Sequence, residues 1–89
     1  PASADAHLIE SRAAAAQRAF ADAARSASRA AAQRPDDIDT LSNLAAMQRL
    51  AGDEAASDAT IARIESLSPA DARPHAQIGI ALASFYDHY

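Results

Sequence analysis

The chain is expected to be all-α, and three features of its sequence say so. Ala, Arg, Gln, Leu and Glu fill most of it, all good helix formers, and valine is absent. No run alternates apolar and polar residues as a half-buried strand does, whereas from Pro35 to Gly79 the apolar residues recur at three- and four-residue steps. That recurrence breaks once, at Gly52-Asp53, and resumes, which is the pattern of helix, tight turn, helix. Pro35 and Pro69 stand 34 positions apart, so the punctuation of this hairpin repeats.

Residues 1–5 are small and polar, and Ser3 or Asp5 is placed to cap a helix starting near Ala6. From His7 to Arg34 neither Gly nor Pro interrupts the chain, which leaves two readings: one helix from about Ala6 to Gln33, or a hairpin turning near Gln17–Ala19. The hairpin is preferred, because an unbroken Ala-rich helix with one narrow stripe leaves Leu8, Ile9 and Phe20 hard to bury together. Arg18, Asp22, Arg25 and Arg29 share one helical face, with Asp22 set to pair with the arginines, and read as a solvated outer face.

Pro35 lacks an N–H and pushes Arg34 out of the helical region, and Asp36 or Asp37 caps the next helix. That helix is expected from about Ile38 to Leu50 or Ala51, with Leu41, Leu44, Ala45 and Gln48 on one face. Gly52 suits the left-handed residue beyond a helix end, and Asp53 caps a helix from Glu54 to Ser66. Its inner face carries Ser57, Ile61 and Ile64, and Leu67 closes it. Ser68-Pro69-Ala70-Asp71 repeats the earlier punctuation, and Pro74 falls where a first helical turn needs no N–H. His75, Ile78, Gly79 and Leu82 restate the first-helix pattern, His75 as a packing residue, and Phe85, Tyr86 and Tyr89 are expected either to fold back over the last hairpin, which is preferred, or to present an apolar patch to a partner.

The series Leu41, Leu44, Ala45, Gly52-Asp53, Ile61, Ile64, Leu67, Pro69 and then Ile78-Gly79 resembles the tetratricopeptide repeat family. The unit of that family is a 34-residue antiparallel helix pair that stacks on its neighbours. The resemblance implies about two and a half repeats in one domain: a degenerate repeat at 6–34, a clear one at 38–69 and a terminal capping helix at 72–89. It implies four to five helices wound as a right-handed superhelix. In the first repeat Phe20, Asp22, Ala23, Ala27, Ala30 and Pro35 match the second-helix pattern. His7, Glu10 and Ser11 depart from the first-helix pattern, and Arg18 stands where a turn glycine is common.

The same resemblance implies a class of work, holding a peptide segment of another protein in the concave surface lined by the first helix of each pair. Carried onto this chain, the middle unit offers Asp39, Ser42, Asn43, Ala46, Arg49 and Leu50, and the last helix Arg73, Ala76, Gln77, Ile80 and Ser84. Asn43 is suited to a peptide backbone, Arg49 and Arg73 to a carboxylate, and Gln77 to either a donor or an acceptor, so an acidic peptide is expected. Members that bind chaperone tails use a two-carboxylate clamp; Asn43 and Arg73 fit two of its slots, but Leu8, Arg12 and Gln77 do not carry its residues. Chaperone-tail binding is therefore not expected, although Arg12 stays in the candidate groove.

Composition narrows the alternatives. A net charge of −4 with interspersed signs is no nucleic-acid footprint. There is no cysteine, the three histidines are scattered, and no glycine-rich loop could cradle a phosphate, so neither an enzyme, a metal site nor a cofactor is expected. No apolar run approaches the roughly 20 residues that span a bilayer, and membrane insertion is not expected. An all-Arg basic set and heavy Ala usage often accompany GC-rich bacterial genomes. The compartment, cytoplasmic or periplasmic, stays open. The alternative to a peptide-binding adaptor or scaffold is a structural module that self-associates as a homo-oligomer, since stacks need about three units, or a recognition appendage of a larger protein. Either way, 89 residues allow only a thin core.

Overall fold

The computed structural model describes residues 3–67, which form four helices and no strand. They are α1 (Ala4–Ala16), α2 (Phe20–Gln33), α3 (Ile38–Leu50) and α4 (Glu54–Leu67). The all-α fold of helical hairpins expected from the sequence is what these residues form. Each helix packs on the next in the chain, and α1 also touches α3. The helix expected from 72 onward, with His75 and the aromatic residues after it, lies outside the described residues.

The long-helix reading of the first segment is overturned at residues 17–19, and local chemistry shows why the chain reverses there. After α1 the Ala19 N–H donates to the Ala14 carbonyl at 2.9 Å and the Arg18 N–H to the Ala15 carbonyl at 2.9 Å. After α3 the Asp53 N–H donates to the Gln48 carbonyl at 2.9 Å and the Gly52 N–H to the Arg49 carbonyl at 3.0 Å. Both are Schellman closures, which put the residue after the helix end in the left-handed region. Gly52 takes it at φ 86°, and Arg18 takes it at φ 63° despite its Cβ.

The helix starts are equally specified. The Ala6 N–H donates to Ser3 Oγ at 3.2 Å, the Thr40 N–H to Asp37 Oδ2 at 3.0 Å and the Ala56 N–H to Asp53 Oδ1 at 3.1 Å. Ser3 and Asp37 are thus the caps, rather than Asp5 and Asp36, each satisfying a donor the helix leaves open. Only α2 starts without a side-chain cap, at Ala19. All four helix boundaries of the second hairpin fall 34 positions after those of the first. The period read from two prolines is therefore a structural period.

The two hairpins are equal in outline and unequal in substance. Leu41, Leu44, Met47 and Ile64 are the large buried side chains, and all belong to α3 and α4. Their counterparts 34 positions earlier are His7, Glu10, Ala13 and Ala30. The first hairpin offers the core mainly methyl groups: Ala23, Ala27 and Ala31 from α2, and Ala14 and Ala15 from α1. Phe20, Ile38, Leu50, Ile61 and Leu67 pack around this centre half-buried.

Candidate functional site

Within each hairpin a buried hydroxyl ties one helix to the other. Ser11 Oγ on α1 donates to the Ala23 carbonyl on α2 at 2.8 Å. Ser57 Oγ on α4 donates to the Ala45 carbonyl on α3 at 2.9 Å. Positions 11 and 45 are equivalent in the 34-residue period, as are 23 and 57, so the donor is on the first helix in one hairpin and on the second in the other. All four residues are fully buried. A hydroxyl at such a contact is stable because it finds a carbonyl, and a small side chain on the opposite helix of the pair lets the two backbones come close.

Asn43 extends this link to a third helix. Its Nδ2 donates to Ser11 Oγ at 3.4 Å, so α3, α1 and the Ala23 carbonyl of α2 form one polar chain through a half-buried amide. The family resemblance implies a groove position for Asn43; its amide reaches from α3 to Ser11 on α1 and helps hold the two first helices side by side.

The remaining expected groove residues divide by their surroundings. Arg12 on α1 and Asp39 on α3 are exposed. Arg49 is exposed as well, but its guanidinium lies 3.8 Å from the Asp58 carboxylate of α4 and is drawn toward the hairpin partner. Leu50 is half-buried against the core. Ser42 and Ala46 are buried, at 2 % and 0 % exposure, and so do not line an open surface. The family resemblance implies groove positions for both; burial removes them. Arg73 and Gln77 lie outside the described residues. No family model, curated protein or solved structure matches this chain.

Three features of this region were not legible in the residue pattern. His7 Nδ1 is buried without a hydrogen bond, with the Glu10 carboxylate 3.8 Å away, and Ser42 Oγ is buried without one either. Ile9 is 65 % exposed. Gln48 accepts a hydrogen bond from Thr60 Oγ1 at 2.7 Å, which ties α3 to α4.

The Arg18–Arg29 face is solvated, as expected, and Arg25 pairs with Asp22 on it. An open hollow of about 350 Å³ lies between this face and the end of α3, floored by Ala21, Ala24 and Ala51. Arg25 and Gln48 on its rim already have partners in Asp22 and Thr60. Among the described residues no group of His, Cys, Asp and Glu could hold a metal ion, and no helix is long and apolar enough to cross a membrane.

Proposed function

We propose that the chain is a short tetratricopeptide-like stack that binds an acidic peptide segment of a partner protein along the side where α1 and α3 meet. One observation carries this reading: the two hairpins repeat at 34 residues in every helix boundary and place first helix against first helix. A row of like-oriented helices presents a continuous strip of helix surface, which suits an elongated ligand better than a compact one. On that strip Arg12 supplies a fork of donors for a carboxylate, and Asn43 retains its acceptor oxygen for a peptide N–H.

The test is selection of peptides from a random displayed library by the intact chain, followed by titration of the enriched sequences. Carboxylate-rich peptides are expected to emerge. Arg12→Ala is expected to weaken them tenfold or more, from the roughly 1.5–3 kcal/mol of a charge-assisted hydrogen bond, with helical circular dichroism unchanged. No enrichment over an unrelated helical protein, or peptides indifferent to Arg12→Ala, would overturn the proposal.

A second reading is self-association through the side of α1 that carries Ile9, which is 65 % exposed. Light scattering separates the two: self-association predicts a molar mass that climbs with concentration and drops back for Ile9→Ser. A chain that remains monomeric at high concentration excludes this reading.

A further inference from the structure

We propose that α1 is a hinged strap that swings off the α2–α3 face about the Arg18 corner while the α3–α4 hairpin stays folded. Four observations point to it. First, α1 buries only Ala4, Ser11 and Ala15, and its larger apolar residues stay at the margin, Leu8 half-buried and Ile9 exposed. Undocking it therefore frees only small buried side chains of α1 itself, whereas lifting α3 would uncover Leu41, Leu44 and Met47.

Second, the corner that would serve as the hinge is held in the left-handed region by an arginine, and the matching corner of the second hairpin has glycine there. A non-glycine residue at positive φ is relieved when the turn opens. Third, the ion pair joining the start of α1 to the end of α2, Asp5 to Arg34 at 3.0 Å, is exposed at Asp5 and part-exposed at Arg34, so water screens it. Fourth, the His7 Nδ1 of α1 is buried without a hydrogen bond and regains water when α1 lifts.

What resists opening is the chain from Asn43 through Ser11 to the Ala23 carbonyl. Lifting α1 breaks it, frees the Asn43 amide and uncovers the Ala23 carbonyl on α2. Subglobal openings of this kind occur where few buried apolar contacts hold an element in place. The opening is a property of the fold and does not depend on any groove ligand.

Amide hydrogen exchange on the intact chain tests it. The protected amides of α1 are expected to exchange at least tenfold faster than those of α3 around Leu44–Met47. Asp53→Ala removes the cap of α4, so it is expected to speed exchange in α3 and α4 about fivefold and leave α1 unchanged, because α1 opens with the second hairpin intact. Arg18→Gly, which relieves the corner, is expected to slow α1 exchange by about fivefold after the entropy cost of glycine. Equal exchange in α1 and α3 overturns the proposal, as does an Asp53→Ala variant in which α1 accelerates in step with α3.

Discussion

Ile64→Ala is expected to cost about 3–4 kcal/mol and leave much of the chain unfolded at room temperature. Ile64 is 1 % exposed and is the one large apolar side chain that α4 buries fully among the described residues. Truncating it loses the transfer free energy of three carbons. The cavity left behind adds to that, because the neighbours cannot collapse: Leu41, Leu44 and Met47 are fixed on α3 by packing of their own, and the rest of the cluster is mostly alanine. Domains are only marginally stable, by about 5–15 kcal/mol, and a small alanine-rich core belongs at the low end of that range, so one substitution removes most of it. Urea denaturation followed by helical circular dichroism measures the effect. Ile9→Ala is the internal control: the same residue type, 65 % exposed, is expected to change stability by no more than about 0.5 kcal/mol. Should Ile64→Ala unfold within about 1 kcal/mol of the parent, the core does not centre on the second hairpin.

The second hairpin was readable because its signals agree with one another. Pro35 stops one helix, Asp37 starts the next, Gly52 takes the left-handed turn and Asp53 caps the return, and the large apolar residues keep a helical period throughout. The bounds expected for α3 and α4 accordingly fall within a residue of those formed. In the first hairpin the same devices are absent or disguised. In α1 apolar and polar residues are spread round the helix, so its burial leaves no mark on the period of hydrophobicity, whereas α2 separates an alanine face from the face of Asp22, Arg25 and Arg29. The turn is made by Arg18, a residue with no turn preference, in a corner closed by backbone hydrogen bonds.

The candidate groove was legible as a helix face but not as a surface. Steps of three and four residues place Asp39, Ser42, Asn43, Ala46 and Arg49 along one side of α3, yet the same steps describe a buried stripe equally well. Which of them stay open depends on contacts far away in sequence, such as Ser11 reaching Asn43 across 32 positions. The exchange of serine and alanine between equivalent positions, 11 with 45 and 23 with 57, is another feature that only the tertiary structure explains. Read on one helix, Ser11 is a departure from the repeat pattern. Read across the pair, either helix can supply the hydroxyl provided the other supplies a small side chain and a carbonyl.

That close approach of backbones makes the alanines the second sensitive part of the fold. Ala27→Leu is expected to destabilise the chain by about 2–3 kcal/mol, although leucine is nearly as good a helix former and more apolar. Ala27 has no exposed surface and belongs to the α2 face that holds Ala23, Ser26, Ala30 and Ala31 against neighbouring helices. Three added carbons fit there only if α2 moves away from its neighbours or side chains leave their rotamers. Moving α2 strains the 2.8 Å bond from Ser11 to the Ala23 carbonyl, one turn away on the same helix. For a domain of this size each kcal/mol shifts the melting temperature by about 4–8 °C, so a fall of roughly 10–20 °C is expected in a thermal scan. Ala32→Leu, on the exposed side of the same helix, separates packing from propensity and is expected to be nearly neutral. If Ala27→Leu instead raised the melting temperature, the helices would stand further apart than the hydroxyl bonds require. The abundance of alanine would then reflect helix propensity alone and not the contact distance between helices.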